Sequence, residues 1–149
     1  MKVKDFLKIK SRPVIKIGPN KTIHDAIQKL VKNNIGALPV CDSKGIMLGI
    51  ITERDLLHVC SQISTEIHST RVKDIMTKEV AIGIPEDDVD YVMAIMVQKG
   101  IRHLPVMDGL KLVGMISARD IVENQLEESK ADVRYLSEYI EIINAILQS

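Results

Sequence analysis

The chain of 149 residues carries twenty basic and twenty acidic residues, so its formal net charge at pH 7 is zero. This balance argues against a dedicated nucleic-acid or membrane binder, and the length is near that of one domain. Hydrophobic residues make up 46% of the chain but aromatic residues only 3%, so a core must be built from Ile, Val, Leu and Met. Such a composition suits β-sheets covered by helices.

Cysteine use and hydropathy predict a soluble cytoplasmic protein. Cys41 and Cys60 form no C-x-x-C pair and no signal peptide precedes them, which favours a reducing compartment. No apolar run approaches the length of a membrane span, so we expect no membrane association. His58, Cys60 and His68 match no closed four-ligand spacing, so we expect no metal site.

Three segments of the sequence occur twice in the same order. VKDFL at 3–7 returns as VKDIM at 72–76, IGALPVCD at 35–42 as IRHLPVMD at 101–108, and GIITERD at 49–55 as GMISARD at 114–120. The offsets are 69, 66 and 65 residues, so the copies differ only by short gaps in loops. Such self-similarity predicts two copies of one structural unit.

The first copy predicts a strand, a helix, two strands and a second helix. PVIKI at 13–17 is a short apolar strand, and Thr22 with Asp25 forms a capping box at the start of a helix. ALPV at 37–40 and IMLGII at 46–51 are strands joined by turn residues, which indicates a hairpin. A second helix follows the hairpin.

The second copy repeats this order, so the predicted fold class is α+β with two tandem β-α-β-β-α units. Its elements are a strand at 79–84, a helix up to Gly100, strands at 103–106 and 110–116, and a helix from Ser117. A unit of about 60 residues buries too little surface to be stable alone, so the two should pack around a pseudo-two-fold axis. The predicted divisions are unit 1 with the N-terminal segment and a linker helix (1–68), unit 2 (69–123) and a C-terminal helix (124–149).

The C-terminal helix is predicted to be strongly amphipathic. Its apolar residues follow the 3-4 spacing of a coiled-coil seam at Val133, Leu136, Ile140, Ile143 and Leu147. Further apolar residues widen this stripe, namely Tyr139, Ile142 and Ile146. Two interpretations stay open, a homodimer contact and a helix folded back on its own domain.

The motif GIITERD, repeated as GMISARD, has a structural and a functional interpretation. A hydroxyl followed three residues later by aspartate is an N-terminal capping box. The same helix N-terminus can bind an anion, and the arginine of the motif adds a positive charge suited to phosphate. The aspartate can accept two hydrogen bonds from a ribose diol, and the glycine would let the strand end approach a ligand. The motif is therefore also consistent with half of a nucleotide site.

The doubled unit resembles a known family. IGALPVCD and GIITERDLL in the first copy, with VKDIMTKEV, IRHLPVMD and GMISARDIV in the second, resemble a tandem pair of cystathionine-β-synthase (CBS) domains, often called a Bateman module. The resemblance covers about residues 3 to 122. It implies two sheets that face each other across a cleft, where adenine nucleotides or S-adenosylmethionine-like ligands bind in up to two sites.

The resemblance also implies roles for the residues at matching positions. Asp55 and Asp120 would hold the ribose. Thr52 and Ser117 would lie beside the phosphate, with Arg54 and Arg119 as charge partners. The base would stack in an apolar slot between the first strand of a copy and its LPV strand, with Met76 and Thr77 closing over it. The slots would be formed by Ile15, Ile17, Leu38 and Pro39 in one copy and by Val80, Ile82, Leu104 and Pro105 in the other.

The two copies differ at the start of their LPV strands. Arg102 and His103 of the second copy correspond to Gly36 and Ala37 of the first, which have no side-chain group that could bind a phosphate. We therefore predict unequal sites. The better site is expected to rely on Arg102, His103, Ser117, Arg119 and Asp120.

The predicted function is that of a regulatory module. The sequence contains no nucleophile-and-base constellation and no P-loop, so we expect no catalysis and no catalytic cofactor. The module would bind an adenosine-containing ligand, form a homodimer and regulate a protein in trans. The alternatives are a structural or dimerisation protein with no nucleotide ligand, and a nucleic-acid-linked regulator that uses the basic N-terminal segment.

Overall fold

The computed structural model describes residues 1–62 and 64–148. In this part of the chain the helices are α1 (Val3–Lys10), α2 (Ile23–Asn33), α3 (Glu53–Cys60), α4 (Val72–Ile75), α5 (Val89–Lys99) and α6 (Ala118–Gln148). The strands are β1 (Ala37–Cys41), β2 (Met47–Thr52), β3 (His103–Asp108) and β4 (Lys111–Ser117), paired as the antiparallel hairpins β1–β2 and β3–β4. The predicted α+β class and its duplication are confirmed.

The two hairpins are built alike. Leu38 pairs with Ile51 in the first hairpin and Leu104 with Ile116 in the second, and all four side chains are buried. The register of each hairpin shifts directly after the valine of its LPV segment. The repeat in sequence therefore extends to the position of a β-bulge, which is a built-in feature of a sheet and not a defect.

The first strand of each copy is shorter than predicted. Of residues 13–17 only Ile17 pairs with β1, and of residues 79–84 only Gly83 pairs with β3, each as a single parallel bridge. A proline stands two residues after each bridge. Because proline has no N–H to donate to a ladder, it limits the pairing only on the C-terminal side of each bridge.

Each hydrophobic core is completed by the helix that precedes the other copy in the chain. Val3 and Phe6 of α1 are buried in the core of the second repeat, together with Val92 and Leu104. Val72 of α4 is buried in the core of the first repeat. The division at residues 68 and 69 stays a prediction, but α1 packs with the second unit and not with the unit that follows it.

The glycine of the repeated motif makes room for these exchanged segments. A Cβ on Gly49 would lie 2.6 Å from the carbonyl oxygen of Thr77 and 3.0 Å from the sulfur of Met76. A Cβ on Gly114 would lie 2.7 Å from Leu7, the counterpart of Met76 in VKDFL. In a close-packed interior neither position can hold a side chain without displacement. These contacts between the units account for both glycines without a ligand.

The capping interpretation of both motifs is confirmed. The Thr52 hydroxyl accepts from the Asp55 N–H at 3.2 Å, and Asp55 Oδ2 accepts from the Thr52 N–H at 3.0 Å. The corresponding distances between Ser117 and Asp120 are 3.0 and 3.4 Å. Each cap uses Oδ2 of the aspartate for the backbone, so Oδ1 is left to other partners.

Helix α6 leaves the body of the protein soon after it begins. Ile121 is buried, but every residue from 125 to 148 is exposed. The helix has 31 residues, which at 1.5 Å per residue makes it about 46 Å long. It does not fold back on its own domain, and residue 149 lies outside the described residues. None of the helices described has the length and apolar character needed to cross a membrane.

Candidate functional site

A cavity of about 470 Å³ lies between the two repeats. Its walls are residues 52–55 at the junction of β2 and α3, residues 77 and 79–81 after α4, and residues 99–103 at the end of α5 and the start of β3, with Gly36 and Ile50. This volume is typical of pockets that hold small organic ligands. The packing of the repeats thus brings the motif of the first unit against the loop before β3 of the second.

Asp55 is held in one orientation at the cavity wall. Its Oδ2 accepts from the N–H of Thr52 at 3.0 Å and from the hydroxyl at 3.1 Å, while the Thr77 hydroxyl donates to Oδ1 at 3.2 Å. Thr77 is fixed in turn by two backbone hydrogen bonds with Ile50, at 2.8 and 2.9 Å. The carboxylate is therefore a pre-positioned hydrogen-bond acceptor.

Arg54 joins the two repeats beside the cavity. Its Nη1 donates to the carbonyl oxygen of Gly100 at 3.3 Å, at the C-terminal end of α5. A positive charge there is favoured by the dipole of that helix. The equivalent Arg119 lies elsewhere, because its Nε pairs with Glu123 at 3.0 Å on the exposed surface of α6. The two arginines of the motif therefore have different surroundings.

Lys99, Arg102 and His103 give the cavity a basic wall. Burial lowers the pKa of His103 below its ordinary value of 6.5, and the charge of Arg102 lowers it further, against smaller opposite effects of Glu53 and Asp120. His103 is therefore neutral at pH 7, and the positive charge of this wall comes from Lys99 and Arg102. Such a wall suits an anionic group, above all a phosphate.

The lowered pKa of His103 predicts a dependence of stability on pH. Below pH 6.5 the unfolded chain takes up a proton at this residue more readily than the folded chain, so stability should fall as the pH decreases through 6.5. The melting temperature of the His103→Gln variant should change less between about pH 7.5 and 5.5 than that of the unchanged protein. Equal slopes for the two proteins would contradict the burial of a neutral imidazole.

The motif of the second repeat faces the N-terminal segment of the chain. Arg12 forms an ion pair with Oδ1 of Asp120, whose side chain is only 13% exposed. In this half-site the carboxylate is therefore neutralised by the chain itself. The basic residues of the cavity have uncharged counterparts in the first repeat, namely Asn33, Gly36 and Ala37. The two half-sites therefore differ in charge.

The structure brings together one part of the predicted site residues and separates the rest. Those on the cavity wall are Thr52, Arg54, Asp55, Thr77, Val80, Arg102 and His103. Arg102 and His103 adjoin the second motif, since His103 pairs with Ser117 and the Arg102 carbonyl oxygen accepts from the Ala118 N–H at 2.8 Å, and they also share the cavity with Asp55. The reason is the pseudo-two-fold packing, which sets the motif of one unit against the loop of the other.

Of the residues predicted to form the apolar slots, Val80 alone is on the cavity wall. Ile17 pairs with β1 and Gly83 with β3, so the first strand and the LPV strand of each unit are neighbours in one sheet. Their side chains instead fill the cores: Ile17, Leu38 and Leu104 are at most 4% exposed, Pro39 and Pro105 are buried, and Ile15 packs at the edge of the first core. Ile82 is exposed and lies outside the cavity lining.

The cavity lining includes residues that the sequence interpretation missed. They are Gly36, Ile50, Glu53, Glu79, Ala81, Lys99, Gly100 and Ile101. Lys99 carried a usable signal, because its counterpart at the end of α2 is Asn33 and the two copies differ in charge there. Across residues 1–62 and 64–148, no three His, Cys, Asp or Glu side chains are grouped so as to hold a metal ion.

Curated proteins of similar sequence share the repeated unit. The chain is 35% identical over 124 residues to the mitochondrial CBS domain-containing protein CBSX3 of Arabidopsis thaliana. This alignment covers 80% of this chain and 60% of that protein. It is 32% identical over 119 residues to the CBS domain-containing protein YhcV of Bacillus subtilis, covering 79% and 83% of the two chains. The chain thus spans less than two thirds of the plant protein.

A solved structure shows the same architecture with ligands bound. The CBS domain pair of protein MJ0100, in complex with 5′-methylthioadenosine and S-adenosyl-L-methionine, superposes with a TM-score of 0.74 at 32% identity, over 87% of this chain and 98% of that one. The family model of the CBS domain matches residues 3–62 and again residues 72–127. Two matched copies, two similar hairpins and a shared cleft between them show that this chain belongs to the CBS-domain family, as a tandem pair.

Proposed function

We propose that the chain is a ligand-sensing regulatory module that binds an adenine nucleotide in the cavity between its CBS units. The observation that carries the proposal is the joint placement of Asp55, a fixed carboxylate acceptor, with the cations Lys99 and Arg102 around one cavity. A carboxylate suits the two hydroxyls of ribose, and the cations suit phosphate. The adenosyl ligands in the MJ0100 pair support an adenosine-containing ligand as the class.

The regulatory step would be a shift between two packings of the units. Both units contribute to the cavity wall, and Arg54 of one donates to Gly100 of the other. A ligand that contacts both units favours the packing in which its contacts are best, by as much as its affinities for the two packings differ. The module would act in the cytoplasm on a protein partner in trans and without catalysis of its own.

A role in binding nucleic acid is less well supported than ligand sensing. The basic N-terminal segment is partly neutralised by acidic residues of the second unit. The pairs are Lys2 with Asp88 at 3.6 Å, Lys4 with Glu86 at 3.1 Å, Lys10 with Glu123 at 3.7 Å, and Arg12 with Asp120. Cations engaged in this way are less available to phosphates of a nucleic acid.

A thermal-shift panel tests the proposed ligand class. AMP, ADP, ATP, S-adenosylmethionine and 5′-methylthioadenosine would each be added to the full chain, with adenosine as the ligand without phosphate. A ligand at about 100 times its dissociation constant should stabilise the fold by about 2.7 kcal/mol. We expect the phosphorylated ligands to raise the melting temperature more than adenosine, because Lys99 and Arg102 line the cavity. If no member of the panel raises it, the proposal is wrong.

The ion pair between Arg12 and Asp120 predicts one ligand per chain. Isothermal titration of the full chain with AMP should give a stoichiometry near one. Arg12→Gln removes the cation paired with Asp120, so a second, weaker equivalent of AMP should then bind. Lys78→Gln, at the equivalent position of the other copy, is the control and should leave the stoichiometry unchanged. Two equivalents of AMP on the unchanged chain would contradict the prediction.

A further inference from the structure

The exposed part of α6 carries a continuous apolar stripe. We call it the helix stripe: a seam of Leu126, Val133, Leu136, Ile140, Ile143 and Leu147, flanked by Tyr135, Tyr139 and Ile142. These side chains are between 37% and 78% exposed. The seam keeps 3-4 spacing throughout. Ser129 occupies the seam position between Leu126 and Val133 and is polar. Such spacing is typical of a helix that packs along another helix.

The area of the helix stripe is too large for a surface that stays in water. Nine large side chains exposed to this degree present on the order of 1,000 Å² of apolar surface, whereas the largest patch on a typical monomer is about 300–600 Å². A stable protein interface buries about 800 Å² on each partner. The helix stripe alone therefore supplies the area of one side of a stable interface.

Helix α6 also needs a partner to stay folded. From residue 125 onward its residues are exposed and make no core with the body of the protein. An isolated helix of ordinary composition is marginal in water, since most helical stability in proteins comes from packing of an amphipathic face. A helix that extends so far from the domain is best explained by an interface that covers it.

Charge distinguishes a protein partner from a lipid surface. The segment from 123 to 148 carries six acidic residues, Glu123, Glu127, Glu128, Asp132, Glu138 and Glu141, against Lys130 and Arg134. A helix that lies on an anionic membrane has the opposite bias, with Lys and Arg along its polar face. The seam spacing favours a second amphipathic helix of the same kind.

We propose that the helix stripe is covered by α6 of a second copy of this chain, so that the CBS pair self-associates through its C-terminal helices.

Sedimentation velocity on the full chain tests this assembly. The unchanged protein should sediment as a closed oligomer with a mass that is a multiple of 16.7 kDa. Ile140→Glu places a charge in the centre of the seam and should weaken self-association by at least about 100-fold, because an unpaired charge would be buried there. Ala145→Glu adds the same charge to the same helix, on the opposite face, and should leave the oligomer intact.

Circular dichroism and a vesicle assay complete the experiment. Dissociation of the Ile140→Glu variant should reduce helical signal, while the melting temperature of the two CBS cores stays near that of the Ala145→Glu control. A monomeric unchanged chain at tens of micromolar overturns the proposal. So does an oligomer that Ile140→Glu leaves intact, and so does a monomer that binds vesicles rich in anionic lipid.

Discussion

Phe6→Ala is expected to destabilise the second CBS unit, although Phe6 precedes the first unit in the chain. The side chain is 1% exposed and is buried among residues of the second core. Removing a buried phenylalanine costs about 3–5 kcal/mol, a large fraction of the total stability of a domain. The melting temperature should fall by on the order of 10 °C. Denaturant unfolding followed by circular dichroism measures the loss.

The location of the effect distinguishes this packing from a simple extension of the first unit. Hydrogen exchange should accelerate first in β3 and β4, because Leu104 and Ile116 lose a neighbour. Ile9→Ala is the matched control, since Ile9 lies on the same helix but is 59% exposed. It should change stability by less than about 0.5 kcal/mol. Faster exchange in β1 and β2 than in β3 and β4 would show that α1 belongs to the first unit.

Asp55→Asn is expected to weaken binding of AMP by about 10- to 100-fold, because a hydrogen bond to a charged group contributes about 1.5–3 kcal/mol. The substitution keeps the shape of the side chain but removes the charge that would receive the ribose hydroxyls. 2′-Deoxy-AMP should bind the unchanged protein more weakly than AMP for the same reason. The two losses should not add when the variant is tested with the deoxy ligand, because both remove one interaction. Isothermal titration of the four combinations provides the measurement.

The chain contains its own control for the capping role of Asp55. Asp25 forms the same capping box with Thr22 at the start of α2 and is not part of the cavity lining. Hydrogen bonds from the backbone and side chain of Thr22 lower the pKa of Asp25 below its ordinary value. Asp25→Asn should affect stability much as Asp55→Asn does, yet leave AMP affinity unchanged. Equal losses of affinity in the two variants would mean that Asp55 acts only as a cap.

Local structure followed closely from the sequence, because the signals that specify it lie within a few residues. The hairpins were predictable from apolar runs separated by turn residues, and the caps from Thr or Ser three positions before Asp. The length of the first strands was overestimated, because only one residue of each pairs with its LPV strand. These elements needed no knowledge of how the two copies meet.

The assembly of the site did not follow from the sequence, and the repeat itself is the reason. VKDFL and VKDIM are similar, so either helix could pack beside either glycine with comparable contacts. Only the three-dimensional packing decides that Leu7 lies against Gly114 and that Met76 lies against Gly49. The same ambiguity applies to the basic loop, which shares the cavity wall with Asp55 of the other copy. A duplicated sequence predicts which contacts exist but not between which copies.

The exchange of α1 and α4 makes the two CBS units interlocked. A cut in the chain between them would leave one fragment with α1 but without the core that Phe6 fills, and another with α4 but without the core that Val72 fills. Neither fragment would contain a complete hydrophobic interior, so each would need the other in order to fold. We therefore expect the chain to unfold as a single cooperative unit. A ligand that closes the cleft between the two units should stabilise both of them against unfolding.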